Sequence, residues 1–434
     1  MISDMRYFID VYGCQMNVHD AEIIEGILRA EGFSPVDDPG DAQVILLVSC
    51  AVREHAETRV LGRAAQLGGM FKESPVMVLC GCVAQEHGAE LLEKHRELDI
   101  VVGPDCYREL PRLITERSRV GLTDFRNEDY EGIQAVRKEF PRAYVTVMRG
   151  CDNFCSYCIV PFVRGRERSR PRDSIVAEVR RLSYLGYGEV TLLGQNVNSY
   201  RFGKIDFPAL LRDVALASGE RTWIRFVTSH PKDLVRETVE VMAEHRNVCK
   251  QLHLPVQSGS DGILQLMNRG YTVGEYLEKI RMLREAMPGI VLSTDVIAGF
   301  PGESEEDFGR TVELLEEVRF DYAFLFKYSE RSGTAASGLE GALPEEVRLE
   351  RLNRLQEIQR RITVEKSGML VGRELEVLVT GPARRPGQQV CRTPGNRTVI
   401  LKGTDYAPGT FLNVRIEKAD GWTHFGSLPE SCEK

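Results

Sequence analysis

Cys151, Cys155 and Cys158 stand in one short stretch, Arg149-Gly150-Cys151-Asp152-Asn153-Phe154-Cys155-Ser156-Tyr157-Cys158. Three thiolates so close can bind three irons of a [4Fe–4S] cube from a single loop. No fourth cysteine lies nearby, so one iron keeps an open coordination position. Such an opening is of no use to a pure electron carrier, which takes four protein ligands, but it serves an enzyme whose substrate binds the cluster. Structural zinc is the competing reading. Zinc wants a fourth ligand, and no histidine or cysteine follows at suitable spacing.

Three further cysteines each follow a strand-like run: Cys14 after Tyr7–Tyr12, Cys50 after Val44–Val48, and Cys82 after Pro75–Leu79. In doubly wound sheets ligands gather outside the strand carboxyl ends, so thiols carried there by three strands converge. Buried cysteine as a small hydrophobe is the alternative. Cys80 competes with Cys82 as third ligand. It continues the apolar run and reads as core, whereas Cys82 reads as part of the loop Gly81-Cys82-Val83-Ala84-Gln85. Cys106, Cys249, Cys391 and Cys432 read as structural or incidental. With 11 cysteines and a cytoplasmic setting expected, metal ligation explains the thiols better than disulfides.

The elements that must position these residues fall into three groups. In the first third, strands and helices alternate: Tyr7–Tyr12, a helix over Val18–Glu31, Val44–Val48, a helix from Val52 to Leu67, Pro75–Leu79, Ile100–Val102 and a helix over Asp105–Glu116. That order predicts a small doubly wound α/β domain over 1–121. Thr123–Lys138 is polar and reads as a linker. A second series, over 139–370, has strands at Ala143–Met148, Glu189–Leu193, Ile224–Val227, Lys250–Leu254, Ile290–Val296 and Phe320–Phe326, each followed by a helical pattern. Six such units predict a partial (βα)6 parallel barrel with its site at the strand carboxyl ends. Pro344–Leu370 reads as a terminal helix. Short β runs in 371–434, separated by glycines and prolines, predict a small antiparallel barrel of a kind that often binds RNA.

The chain has 434 residues, ample for several buried cores, and 42% hydrophobic and 28% charged residues, as in globular proteins. No apolar run approaches the ~20 residues of a membrane span. The net charge of −8 argues against indiscriminate nucleic-acid binding but leaves room for local basic surfaces. Arg164, Arg166, Arg168, Arg170 and Arg172 alternate along the chain; if extended, they share one side and suit phosphate and carboxylate recognition, the alternative being a mobile surface loop of solvated charges. Arg373, Arg384, Arg385, Arg392, Arg397 and Lys402 add positive charge in the last segment. His230 and His253 end or lie in barrel strands and either line the cavity or, more readily, serve as hydrogen-bonded core histidines.

The triplet after the first barrel strand resembles the radical S-adenosylmethionine superfamily, whose signature is C-x3-C-x2-C. The resemblance implies that the open iron chelates the methionine moiety and that cleavage releases a deoxyadenosyl radical. Leu193-Gly194-Gln195-Asn196 and Val296-Ile297-Ala298-Gly299-Phe300-Pro301-Gly302-Glu303 match the superfamily's cofactor loops. Tyr12-Gly13-Cys14-Gln15-Met16-Asn17, Cys50-Ala51-Val52-Arg53-Glu54 and Gly81-Cys82-Val83-Ala84-Gln85 resemble the N-terminal domain of the methylthiotransferase family. Three barrel segments do so too: Gln195-Asn196-Val197-Asn198-Ser199-Tyr200, Thr228-Ser229-His230-Pro231 and Leu254-Pro255-Val256-Gln257-Ser258-Gly259-Ser260.

The first-cysteine context is similar to that of the MiaB-type branch, which acts on isopentenyl-modified adenosine beside the tRNA anticodon. One departure is Val48-Ser49, where the family commonly has Asn-Thr. The resemblance covers nearly the whole chain, including a TRAM-like C-terminal domain. It implies two [4Fe–4S] clusters, held by Cys14, Cys50 and Cys82 and by Cys151, Cys155 and Cys158, with no catalytic residue beyond these ligands. It implies cofactor contacts by Gln195, Asn196, Ser229, Gln257 and Gly299, and RNA contacts by Arg164, Arg166, Arg168, Arg170, Arg392 and Arg397. The expected partners are a tRNA anticodon loop and an electron donor such as flavodoxin, for a cytoplasmic monomer. Other outcomes are methylthiolation of threonylcarbamoyladenosine or of a ribosomal protein, or a non-enzymatic iron–sulfur RNA-binding regulator.

Overall fold

The computed structural model describes residues 5–51, 54–71, 74–403 and 405–429. The expected start of the second helix at Val52, the motif residue Arg53 and Cys432 lie outside them. The first unit runs β1 (Arg6–Tyr12), α1 (Gln15–Ala30), β2 (Ser34–Pro35), β3 (Val44–Ser49), α2 (Glu54–Gly68), β4 (Val76–Gly81), α3 (Cys82–His87), α4 (Glu90–Lys94), β5 (Ile100–Val102), α5 (Leu110–Thr115) and β6 (Val120–Leu122). The strand order is β2-β1-β3-β4-β5-β6, parallel throughout.

β3 and β4 are buried at every residue, as continuous apolar runs in a two-faced parallel sheet must be. Alternation divides them: Val44, Leu46, Val48, Val78 and Cys80 join the core under α1 and α5, while Ile45, Leu47, Met77 and Leu79 join that under α2 and α3. The edge strands β2 and β6 were not foreseen, being too short to show a pattern. The helix expected over Asp105–Glu116 is a 3-10 turn, Tyr107–Glu109, followed by α5.

The second unit comprises β7 (Arg142–Thr146), β8 (Met148–Arg149), α6 (Val160–Arg164), β9 (Arg168–Ser169), α7 (Arg172–Tyr184), β10 (Glu189–Leu193), the hairpin β11 (Arg201–Phe202) and β12 (Ile205–Asp206), α8 (Phe207–Ser218), β13 (Trp223–Phe226), α9 (Arg236–Glu244), β14 (Gln251–His253), α10 (Asp261–Leu266), α11 (Val273–Ala286), β15 (Val291–Ala298), α12 (Glu305–Val318), β16 (Tyr322–Lys327) and α13 (Glu345–Gly368). Parallel triplets β7-β10-β13 and β14-β15-β16 meet through a bridge between Ile224 and Val248. The six expected strands are therefore present as a partial barrel, with one continuous core between strands and helices.

Residues 123–138 form no regular element but do not act as a loose tether. Tyr130 is buried and stacks on Tyr107 with ring centroids 5.5 Å apart. Arg137 pairs with Glu22 of α1 at 2.6 Å and with Glu178 of α7, tying the first two units together.

The last unit is a closed barrel of β17 (Glu374–Pro382), β18 (Gln388–Arg392), β19 (Thr398–Lys402), β20 (Phe411–Asp420) and β21 (Thr423–Ser427), in the order β17-β18-β19-β21-β20. It is antiparallel except for the β19–β21 pair. Two buried polar contacts seat it on the larger barrel. Arg225, paired with Glu189 at 2.9 Å, donates to the carbonyl of Pro394 at 3.0 Å. Asp321 accepts from Arg397 at 2.6 Å and from Lys366 at 2.8 Å. Among the described residues no helix is long and apolar enough to cross a membrane.

Candidate functional site

Sheet register brings the first three thiols together. Tyr12 is paired with Ser49, and Ser49 with Gly81, so β1, β3 and β4 end level. Cys50 and Cys82 follow directly, and Cys14 follows one residue after Tyr12's neighbour Gly13. The approach is close: a Cβ on Gly13 would stand 2.7 Å from Cys50 Cβ, and one on Gly81 (φ +98°) 2.5 Å from the Ser49 carbonyl oxygen. Only glycine fits either place. Cys82 is not in a loop, as expected, but is the first residue of α3. Cys80 turns away into the α1-side core.

Cys14 caps α1, and buried Asn17 fastens that end by donating to the Ser49 carbonyl at 2.9 Å. Asn17 is a site residue that the sequence reading passed over within its own motif. A hydrogen bond from Cys50 pulls the solvent-exposed Cys14 thiol down to about 6, aided by Arg164 and the amides of Asn17 and Met16. Helix amino termini favour thiolate in this way. Burial pushes Cys82 up, with Arg164 opposing.

The second trio lies in the loop between β8 and α6. Gly150, with φ +77°, opens it; a Cβ there would lie 2.0 Å from the Arg166 carbonyl oxygen. Gln195 accepts from the Gly150 amide at 2.7 Å, and Arg269 donates to Cys155 Sγ at 3.3 Å. Burial raises Cys151 to about 11 and Cys158 to about 12. Thiolates in such surroundings need a positive partner other than solvent, which a ligated metal supplies.

Each trio offers three thiols, the number that holds three irons of a [4Fe–4S] cube and leaves the fourth open. Among the described residues, the one group of three potential ligand atoms within 4.8 Å of each other is Glu57, Glu86 and His87. Thiolates around one tetrahedral zinc, at about 2.3 Å each, would lie roughly 3.8 Å apart. In neither cysteine trio do all three sulfurs lie within 4.8 Å of one another.

At the barrel's strand ends, buried polar atoms lack protein partners: both amide atoms of Asn198, Ser229 Oγ, His230 Nε2 and Gln257 Oε1. Buried polar groups are ordinarily satisfied, so this set points to a polar ligand. Ser229 and Gln257 were expected there; Asn198 and His230 were not assigned to it. Burial, with Arg269 and Lys232 nearby, lowers His230 to about 2, leaving a neutral ring. Gln195, Asn196 and Gly299 are engaged otherwise. Asn196 donates to Asp233 at 2.7 Å and accepts from the His230 amide at 3.1 Å. Gly299 has φ +74°, and a Cβ there would meet Arg348 Cγ at 2.4 Å, so backbone conformation and α13 packing both require that glycine. His253 is hydrogen-bonded to Ser293 at 3.0 Å.

The one-sided arginine stripe does not form. Arg164 ends α6, Gly165 at φ +74° breaks the run, and Arg172 begins α7. Arg164 is buried against Asp20, Arg168 pairs with Asp105, Arg170 with Glu178 and Arg172 with Asp213. Only Arg166 of the five is largely exposed, beside Asp152 and over the Phe154 ring. Arg397 is buried on Asp321, and Arg392 is half-buried against Asn396. Apart from Arg166, the guanidinium groups that were assigned to RNA are held by carboxylates and carbonyls within the protein.

The Radical SAM superfamily model matches residues 145–315, the TRAM domain model 369–428, and that of Uncharacterized protein family UPF0004 residues 6–103. A radical S-adenosylmethionine methyltransferase, TsrM from Kitasatospora setae, shares the fold at a TM-score of 0.57 and 14% identity, over 94% of this chain and 80% of that one. Domain series and site together define a radical S-adenosylmethionine enzyme, whose cofactors include an iron–sulfur cluster and S-adenosylmethionine. The chain is 44% identical over 432 residues to a tRNA-2-methylthio-N(6)-dimethylallyladenosine synthase of Chlorobium luteolum, covering 97% of both chains. It is 42% identical over 445 residues to the synthase of that name in Porphyromonas gingivalis, covering 99% of this chain and 96% of the relative. It belongs to the family of these synthases.

Proposed function

We propose that this enzyme transfers a methylthio group to carbon 2 of isopentenyl-modified adenosine beside the tRNA anticodon. The carrying observation is 44% identity over 97% of both chains to a synthase named for that product. A hydrogen on an aromatic sp² carbon is neither acidic nor easily removed, so side-chain acids and bases alone do not replace it with sulfur. When bound, the cofactors supply that hard step: electrons to cleave S-adenosylmethionine, and a sulfur destined for the product.

The chain's own residues bind, orient and exclude water. Cys151, Cys155 and Cys158 hold one [4Fe–4S] cluster, and Cys14, Cys50 and Cys82 a second, each trio leaving one iron without a protein ligand. The unpartnered atoms of Asn198, Ser229, His230 and Gln257 take the polar groups of S-adenosylmethionine and substrate. Gln195 and Arg269 fix the barrel's cysteine loop from its two sides. Phosphate contact falls to exposed cations, Arg166 and, on the small barrel, Arg384, Arg385 and Lys402. An anticodon loop offers its base unstacked at modest cost. The reading includes a cytoplasmic monomer and a donor such as flavodoxin, on the strength of the family resemblance alone.

Mass spectrometry of tRNA nucleosides tests it. Deleting the gene should remove the methylthio nucleoside and leave its isopentenyl precursor, and the wild-type gene should restore it. An unchanged nucleoside profile would overturn the assignment.

A further inference from the structure

One buried guanidinium belongs to both cysteine loops. Arg164 ends α6, a few residues beyond Cys158, yet its Nε donates to Cys82 Sγ of the first unit at 3.1 Å. Its Nη2 lies 2.7 Å from Asp20 Oδ2. Asp20 stands on α1, the helix that Cys14 caps, and its other oxygen accepts from Arg149 at 3.0 Å. Arg149 in turn precedes Gly150 and Cys151. Two cations and one carboxylate thus form a buried triad, net positive, against a single cysteine of the N-terminal trio.

We propose that Arg164 is a positioning residue that raises the reduction potential of the N-terminal cluster, by donating an N–H from the barrel domain to the Cys82 sulfur while Asp20 fixes the guanidinium's orientation. This rests on reading Cys14, Cys50 and Cys82 as cluster ligands. The reduced cluster carries one more negative charge than the oxidised one. A hydrogen bond to a ligand sulfur and a nearby positive charge therefore stabilise the reduced state more, and cluster potentials follow such contacts. Because the donor comes from the other domain, the cluster's electronics depend on the two units being docked.

The test uses full-length protein carrying Cys151→Ala, Cys155→Ala and Cys158→Ala, reconstituted anaerobically with iron and sulfide, so that only the N-terminal cluster is present. Its one-electron 2+/1+ couple is titrated with dithionite as the electron source and followed by electron paramagnetic resonance. Adding Arg164→Gln should move the midpoint to more negative potential. Arg164→Lys keeps the charge beside Asp20 but loses the Nε donor, and should move it in the same direction by less. Arg149→Gln removes a charge from the same triad and no donor to sulfur, so its shift should be smaller than that of Arg164→Gln. An unchanged midpoint in both Arg164 variants, or equal shifts in Arg164→Gln and Arg149→Gln, would overturn the proposal. If the triple-cysteine protein binds no iron, the ligand reading itself fails. Should Arg164→Gln not hold iron, Arg164→Lys decides the matter alone.

Discussion

Replacing Asp20 with asparagine should destabilise the protein more than any exposed charge substitution. The carboxylate is fully buried, with Arg149 and Arg164 at 1% and 4% side-chain exposure on its two oxygens. Asparagine keeps the shape but strands two guanidinium groups out of water. Removing one partner of a buried ion pair costs about 3–5 kcal/mol. With a urea dependence of about 3 kcal/mol per molar, the upper end of the range for small proteins because the slope rises with size, the midpoint of the apo-protein transition should fall by roughly 1–1.7 M. Urea denaturation followed by circular dichroism measures this directly. A fall below about 0.5 M would refute the argument. The triple variant Asp20→Leu, Arg149→Met, Arg164→Met should by contrast lie near wild type, since well-packed apolar replacements of buried ionic triads are often neutral or better.

The same carboxylate predicts a pH dependence. Burial works against ionisation of Asp20, but Arg164 and Arg149 prevail and hold its carboxyl below the usual range. Its folded pKa therefore lies beneath the unfolded value of about 3.9. The stability it contributes is complete above that value and is lost as pH falls toward the folded pKa. Wild type and Asp20→Asn should differ fully at neutral pH and converge in acid.

Two further outcomes are expected. Cys82→Ala should cost the anaerobically reconstituted protein about four irons per chain, one cluster's worth, whereas Cys80→Ala should cost none; the reverse result would exchange their roles. Asp321→Asn weakens the hold on Arg397 and Lys366 at the seat of the small barrel, so amide exchange across β18 and β19 should accelerate, and unchanged protection there would show that the apolar contacts around Trp223 and Leu378 suffice.

What the sequence reveals depends on whether the signal is local. Runs such as Val44–Val48 announce central strands because both faces are buried, and a cysteine just past each of three such runs announces a shared edge. β2 and β6 are only two and three residues long and take their conformation from the neighbouring strand, so nothing in Ser34-Pro35 or Val120-Gly121-Leu122 marks them. The helical start at Cys82 is hidden by Gly81, whose turn looks like a loop until its close approach to Ser49 is known. Ser229 and Gln257 were legible through their motifs, but the absence of partners that distinguishes Asn198 and His230 from ordinary core polar groups exists only in three dimensions.

The arginines fail differently, and for a reason that bears on function. Alternate positions share a side only in an extended chain, and Gly165 ends that condition after the first of them. The consequence is general to this site. A loop that must keep three thiols available cannot bury itself under an apolar cover, because the cover would occlude the ligands. It is held instead from its flanks, by Arg149 and Arg164 on Asp20, by Arg168 on Asp105 and by Arg269 on Cys155 and the Pro255 carbonyl. Guanidinium groups suit this task, since they stay charged when buried and offer donors in several directions at once. Positive charge that looks like an RNA surface in one dimension is, in the folded protein, the scaffold that presents the thiols.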